Sequence, residues 1–200
     1  VSDLDLRKGR QQTDQYDDMT IENMPDGSSH PFFFKGDGEL KFEDVSKAWG
    51  TAKMKGYFNG AAYADLDNDG NLDVVINSID APAVVLKNNA PSRKMVNLIL
   101  RGEGMNKFGI GAKVWLFTGD KMQYQQMMPA RGFQSSVDMR LHFGLDSTMY
   151  IDSVLVVWPS QKFQLLKNMP AKGVMELKEY EAGGVFDYDT WFPMAKMEFE

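Results

Sequence analysis

The chain has 200 residues, of which 43% are hydrophobic and 25% charged, a composition typical of globular domains and too apolar for a mainly disordered chain. Its net charge of -6 comes without any concentrated basic segment, which argues against a nucleic-acid partner. No apolar run approaches the roughly 18 residues of a membrane-spanning helix, and the absence of cysteine excludes disulfides, thiolate metal sites and a cysteine nucleophile.

The first part of the chain is polar, and residues 1–30 are predicted to form a linker that ends in a turn at Met24–Ser29. The apolar segments Phe32–Phe34 and Leu40–Phe42 flank a Gly-Asp-Gly turn, a pattern that predicts a β-hairpin. Short strand-like segments follow at 61–66, 72–77 and 83–87, each bounded by Gly, Pro, Asn or Asp. Residues 31–90 are therefore predicted to form one β-region.

Pro91 and Ser92 mark the next predicted boundary, after which strand-like segments recur up to residue 180. These segments are 95–100, 112–117, 122–128, 136–143, 151–158, 163–166 and 174–179. Seven short strands separated by turns predict a small sandwich or barrel over 91–180. Residues 181–200 are acidic but rich in aromatics, so we expect this tail to pack on the protein or to continue into a further domain.

One loop has the residue pattern of a calcium site. It has carboxylates at loop positions 1, 3, 5 and 9, glycine at 6, and at 7 an asparagine whose main-chain carbonyl can bind. The residues are Asp65, Asp67, Asp69, Gly70, Asn71 and Asp73. Four carboxylates in one turn repel one another without a counter-charge, so a divalent cation should order the loop.

The flanks of this loop argue against an EF-hand. Ile76 stands where an EF-hand has a bidentate acid, which leaves Asp73 as the closing ligand. Residues 62–64 and 74–76 are strand-like, so the loop is predicted to join two antiparallel strands. The alternative is a solvated surface turn that binds no ion.

The stretch 60–75, Gly-Ala-Ala-Tyr-Ala-Asp-Leu-Asp-Asn-Asp-Gly-Asn-Leu-Asp-Val-Val, resembles the FG-GAP or VCBS repeat of β-propeller blades. Phe42–Ser46 resembles the segment that commonly precedes such a blade. The resemblance implies calcium held by the side chains of Asp65, Asp67, Asp69 and Asp73 and the main chain of Asn71. A propeller needs several blades, and the chain has one complete loop, so we expect it to continue into further blades in a longer parent protein.

Residues 94–180 resemble the ASPIC/UnbV domain, which follows FG-GAP repeats in its family. Four segments in order carry the resemblance: 108–114 (Phe-Gly-Ile-Gly-Ala-Lys-Val), 131–136 (Arg-Gly-Phe-Gln-Ser-Ser), 141–145 (Leu-His-Phe-Gly-Leu) and 154–160 (Val-Leu-Val-Val-Trp-Pro-Ser). Asp146 and Gln161 stand where the family usually has glycine, which affects two turns. Together the two resemblances predict an all-β chain with blade-like FG-GAP hairpins and a small sandwich or barrel.

Several conspicuous side chains are interpreted as structural. Gly109 and Gly111 suit a tight entry into a strand, and Trp158 shares a strand face with valines, which favours core packing over a sugar platform. His142 alternates with Leu141 and Phe143 and should point away from their face, and His30 lies beside a proline in a loop. Both histidines are interpreted as structural or surface residues.

The sequence favours a non-enzymatic, calcium-binding structural or interaction module of an exported or cell-surface protein, in adhesion, surface assembly or glycan handling. No catalytic residues, histidine pair or glycine-rich phosphate loop is recognisable. The expected partner is an unidentified protein or glycan at the cell surface. Two alternatives remain: carbohydrate binding through aromatics such as Trp49, Tyr57 or Trp191, and a hydrolase with paired carboxylates.

Overall fold

The computed structural model describes residues 26–91 and 93–193. They form two compact units, one from residues 26–58 and 79–81, the other from 59–78, 82–91 and 93–193. Most of the predicted linker, 1–25, and the end of the predicted tail, 194–200, lie outside the described residues. Within the described ranges, no helix has the length and apolar character needed to cross a membrane.

The first unit contains the predicted hairpin, formed by β1 (Phe34–Gly36) and β2 (Phe42–Asp44), which pair antiparallel. Its turn is held by the side chain of Asp37, which accepts hydrogen bonds from the backbone N–H groups of Glu39 and Lys41. A 3-10 turn at Thr51–Lys53 follows. The hairpin thus forms where the Gly-Asp-Gly signal predicts it.

The second unit is built almost entirely of strands, which confirms the all-β prediction. The strands are β3 (Phe58–Ala64), β4 (Asp73–Ser78), β5 (Val84–Leu86), β6 (Lys94–Arg101), β7 (Lys113–Thr118), β8 (Lys121–Gln126), β9 (Ala130–Gly132), β10 (Ser135–Ser136), β11 (Arg140–Asp146), β12 (Tyr150–Val157), β13 (Phe163–Pro170) and β14 (Gly173–Lys178). A 3-10 turn at Glu179–Glu181 and the helix α1 (Tyr188–Trp191) complete the unit.

Two of its sheets pack face to face as a sandwich and do not close into a barrel. One has the order β11-β6-β14, with β6 antiparallel to β11 and parallel to β14; the other has the order β13-β12-β7-β8. Strand alternation directs one face of each sheet into a shared core. The largest fully buried side chains of this core are Trp158, Phe143, Leu98, Leu100, Leu116 and Met127.

The second sheet is also covered on its outer face. Leu155 and Val157 of β12 alternate with the core residues and lie in a separate buried cluster with Trp115. Phe186, from the segment after the last strand, completes that cluster at 4% exposure. Its ring lies 6.2 Å from that of Trp115, and α1 adds Trp191 at 5.7 Å from Phe186. The described part of the predicted tail therefore packs on the protein.

A third sheet of the same unit, with the order β3-β4-β5, carries the acidic loop between β3 and β4. It approaches the β9–β10 hairpin closely, because a Cβ atom on Gly60 would lie 2.9 Å from the carbonyl oxygen of Phe133 and 2.8 Å from the hydroxyl of Ser135. Only glycine leaves room for this approach. The acidic loop is thereby fixed beside the sandwich.

Candidate metal centre and adjoining cleft

The ends of the acidic loop are anchored in strands, and its middle is a tight turn. Asp65 directly follows β3 and is 6% exposed, while Asp73 opens β4 and is 3% exposed. The chain reverses between them through left-handed conformations at Asn68 (φ 59°) and Gly70 (φ 93°). Glycine takes this conformation without strain and asparagine tolerates it better than most residues, which explains the Asn-Asp-Gly sequence.

Three carboxylates converge in this loop. Asp65, Asp67 and Asp73 each offer an oxygen atom, and the three atoms lie within 4.8 Å of one another. Asp65 Oδ2 accepts a hydrogen bond from the N–H of Gly70 at 3.1 Å, but Asp65 Oδ1 is buried with no hydrogen-bond partner. Leaving a buried carboxylate oxygen unpaired is costly. A cation at this point would remove that cost, so the residues present fit a metal ion.

Asp73 closes the loop from the opposite side. Its Oδ2 accepts from the N–H of Leu66 at 3.1 Å, and its Oδ1 accepts from the N–H of Asn88 at 2.8 Å. Both oxygens are thus positioned by backbone donors, one within the loop and one in the segment just after β5. A carboxylate oxygen fixed in this way still has a lone pair available for a cation.

The other two predicted ligands lie in the same turn but are not members of the group of three. Asp69 Oδ1 accepts from the N–H of Asn71 at 2.8 Å. The side-chain amide of Asn71 donates to the carbonyl of Ala90 at 3.1 Å. The five-ligand set therefore stays a prediction, of which the structure brings Asp65, Asp67 and Asp73 together.

The sequence interpretation missed a counter-charge at this loop. Lys87, just after β5, directs its ammonium group onto the carboxylate of Asp67, and its Nζ lies 3.8 Å from Asp69. Their hydrogen bond lowers the pKa of Asp67 and raises that of Lys87. Lys87 is 20 residues from Asp67, and only the antiparallel pairing of β5 with β4 brings it to the loop.

A cleft of about 330 Å³ opens beside the loop, within the same unit. Tyr63 and Leu72 from the β3–β4 hairpin form part of its wall. The rest comes from the end of β8 with the residues after it, Arg131, and the stretch 137–142 leading into β11. A second, much smaller cavity of about 10 Å³ shares Tyr63, Leu72 and His142 with the cleft and is also lined by Asp65. The cleft thus lies next to the metal centre.

Hydrogen bonds fix the polar side chains of the cleft. Asp138 Oδ2 accepts from the guanidinium of Arg140 at 2.5 Å, and the side-chain amide of Gln125 donates to the carbonyl of His142. His142 is half-buried between the buried Leu141 and Phe143 of β11, and burial lowers its pKa. Its Nδ1 lies 2.9 Å from Asn97 Oδ1, so the neutral ring donates from Nδ1 and keeps Nε2 as an acceptor.

The aromatic residues considered for sugar binding have other contacts. Trp49 packs on Phe33 with a ring separation of 5.5 Å, and the hydroxyl of Tyr57 donates to Asp26. Trp191 is 36% exposed and lies 5.9 Å from Phe163. Trp158 is 1% exposed and belongs to the core, as the sequence predicts.

The sandwich combines short strands, left-handed glycine turns and a buried tryptophan. Residues 102–184 match the family model described as ASPIC and UnbV. The match covers the part of the sandwich from the end of β6 to the turn after β14, and it supports the resemblance seen in the sequence. The resemblance of 60–75 to an FG-GAP repeat has no matching family model and stays a prediction. No curated protein matches the chain.

Gly109 and Gly111, in the segment that matches the ASPIC and UnbV model, allow close packing against the core. Gly109 (φ 60°) and Gly111 (φ 92°) both have left-handed backbone, as the predicted tight entry into a strand requires. A Cβ atom on Gly109 would lie 3.0 Å from the ring of Trp158 and 3.1 Å from Cβ of Leu100. The motif therefore lets the chain pass directly over the core tryptophan.

Both departures from the family pattern fall on left-handed residues. Asp146 has φ 49° and Gln161 has φ 66°. At Gln161 the turn is held by two backbone hydrogen bonds, from its N–H to the carbonyl of Trp158 and from the N–H of Phe186 to its own carbonyl. Gln161 thus adopts the left-handed backbone that usually requires glycine, and these two hydrogen bonds hold it there.

Replacing Gln161 by glycine is expected to raise the free energy of unfolding by about 1 kcal/mol, because glycine adopts this backbone without the steric cost of a Cβ atom. Urea denaturation would measure the change. Lys172→Gly is a matched control, since Lys172 is exposed and its φ is not positive, and glycine there should destabilise. Equal destabilisation by both substitutions would contradict the prediction.

Proposed function

We propose that this chain is a calcium-stabilised, non-enzymatic structural or interaction module of an exported or cell-surface protein. The observation that carries the proposal is the buried, unpartnered Oδ1 of Asp65 within the group of three carboxylates. A buried anionic oxygen without a donor is the arrangement that a bound cation stabilises. The cation then couples its binding to the folding of the loop.

Calcium is the ion that suits this donor set best. It binds six to eight oxygen atoms at about 2.3–2.6 Å with flexible geometry, whereas magnesium requires a near-ideal octahedron at about 2.0–2.1 Å. The centre offers carboxylates from Asp65, Asp67 and Asp73, and a bound calcium ion would complete its coordination with further oxygens such as those of water. When bound, the ion contributes charge neutralisation and cross-linking of the turn.

The ASPIC/UnbV match supports the module and its location by resemblance, since such domains follow FG-GAP repeats in bacterial surface proteins. Free calcium is plentiful outside cells, where a weak structural site suffices: extracellular modules bind with Kd of about 10⁻⁴ to 10⁻³ M. The proposed roles are adhesion, surface assembly or glycan handling. The proposed parent protein carries further blades.

Isothermal titration calorimetry on the full chain tests the site. We expect one calcium ion per chain, bound more tightly than magnesium, and an affinity at least about tenfold lower in Asp65→Asn, because that substitution removes a charge from the buried side of the site. The matched control is Asp120→Asn, at an exposed carboxylate in the β7–β8 turn. No calcium uptake by the unmodified chain, or equal loss in both variants, would refute the assignment.

A further inference from the structure

We propose that the cleft beside the acidic loop binds a sugar ring that carries a carboxylate, and that this binding is strengthened by calcium in the loop. The calcium dependence rests on the proposed function, whereas the ligand class rests on the cleft itself. Four features of the cleft support the ligand class and its calcium dependence: its size, the unpaired charge of Arg131, its fixed polar atoms and its proximity to Asp65.

The dimensions suit one small ring. About 330 Å³ lies at the lower end of the range of ligand sites, roughly 300–1,000 Å³, and leaves room for one six-membered ring with its substituents. The walls mix apolar side chains with groups that can form hydrogen bonds. Leu72, Val137 and Leu141 line the cleft together with Tyr63 and Gln125. A sugar ring has the same character, since its C–H faces are apolar and its rim carries hydroxyls.

The charge of the cleft selects an anion. Of the charged side chains that line it, Arg140 is paired with Asp138, with a contact of 2.5 Å between them. Arg131 is exposed and donates one N–H to the carbonyl of Gln126 at 2.7 Å. Its other guanidinium N–H groups have no carboxylate partner among the described residues. A guanidinium binds a carboxylate in a bidentate manner, so Arg131 is the group expected to receive it.

The remaining polar atoms suit hydroxyl groups. His142 presents Nε2 as an acceptor, because Nδ1 is engaged with Asn97. Asp138 is fixed by the N–H and guanidinium of Arg140, and its carboxylate has further acceptor capacity. These groups are already held in place by the protein, so ligand binding does not have to order them. The cleft therefore offers a donor for the carboxylate and acceptors for ring hydroxyls.

The proximity of the metal centre predicts the coupling. Asp65 lines the small cavity that shares Tyr63, Leu72 and His142 with the cleft, and it also belongs to the group of three carboxylates. Without a cation, this concentration of negative charge opposes an anionic ligand; a calcium ion reduces that repulsion. The ion also orders the hairpin that supplies Tyr63 and Leu72 to the cleft. Because coupling is reciprocal, the ligand must strengthen calcium binding by the same factor.

The test is a titration of the full chain with D-glucuronate, with free calcium in excess of both the protein and the glucuronate. Calorimetry and the NMR chemical shifts of the cleft residues report the binding. We expect binding with shifts at Tyr63, Arg131 and His142, and at least about tenfold weaker binding of glucose. Arg131→Gln should weaken glucuronate binding at least about tenfold, whereas Arg101→Gln, at an exposed ion pair with Glu176, should leave it unchanged.

Other results would test separately the carboxylate, the sugar ring, the position of the anion and the coupling to calcium. Equal binding of glucose and glucuronate would overturn the carboxylate assignment, and equal binding of acetate would overturn the sugar assignment. Insensitivity to Arg131→Gln would place the anion elsewhere and overturn the site. If glucuronate binds equally well with chelator, the coupling is wrong while the calcium site stands. If calcium fails to bind in calorimetry, the proposed function fails while glucuronate binding is still measured.

Discussion

Trp158→Ala is expected to lower the free energy of unfolding by about 3–5 kcal/mol, the range for removing a fully buried large aromatic side chain. Trp158 is 1% exposed, belongs to the core between the two sheets, and donates from Nε1 to Gln164 Oε1 at 3.2 Å. The substitution leaves a cavity and removes the donor to the side-chain oxygen of Gln164. Urea denaturation followed by circular dichroism would measure the loss.

Two further variants serve as controls for Trp158→Ala. Trp158→Phe keeps most of the apolar volume and should cost less than the alanine variant. Trp49→Ala removes a tryptophan that is 59% exposed and should change stability by about 1 kcal/mol or less. A loss at Trp158 no larger than the loss at Trp49 would contradict core packing and revive the interpretation of Trp158 as a binding platform.

Calcium is expected to raise the thermal unfolding midpoint of the full chain substantially. A ligand at 100 times its Kd stabilises the native state by about 2.7 kcal/mol. For a chain of this length such a gain corresponds to roughly 5–10 °C. The physical reason is the relief of the unpaired Asp65 Oδ1 and of repulsion among the three converging carboxylates. Differential scanning calorimetry with calcium and with chelator would measure the shift.

The dependence on calcium concentration distinguishes this effect from a general salt effect. The midpoint should keep rising with free calcium as binding predicts, and sodium at equal ionic strength should not reproduce it. At the same free calcium, Asp65→Asn should reduce the response to about half or less, because a roughly tenfold lower affinity lowers the stabilisation from about 2.7 to about 1.4 kcal/mol, while Asp120→Asn keeps it. An unchanged midpoint in the presence of confirmed calcium binding would overturn the structural role of the ion.

Much of the fold is predictable because local sequence signals agree with the final packing. The Gly-Asp-Gly turn, the alternating strands and the left-handed glycines at 109 and 111 each depend on interactions within a few residues. The buried face of Trp158 follows from strand alternation with Val154 and Val156. Asp65 and Asp73 come together because one tight turn joins two neighbouring strands.

The rest depends on contacts between distant parts of the chain, for which periodicity carries no signal. Lys87 reaches the loop only through the register of β5 on β4. The cleft exists because the β3–β4 hairpin lies beside residues more than 50 positions away, and its charge balance follows from the pairing of Arg140 with Asp138. At Gln161 the surrounding hydrogen bonds override the local preference for glycine.

The ammonium group of Lys87 gives the acidic loop a tethered monovalent cation of its own. If the loop binds calcium as proposed, binding would be an exchange reaction, in which a divalent ion competes with a charge that the chain already carries at very high local concentration. The loop would then be partly neutralised by Lys87 when calcium is scarce. The same tether would weaken the net gain from each calcium ion and place half-saturation at a higher concentration than the carboxylates alone would set.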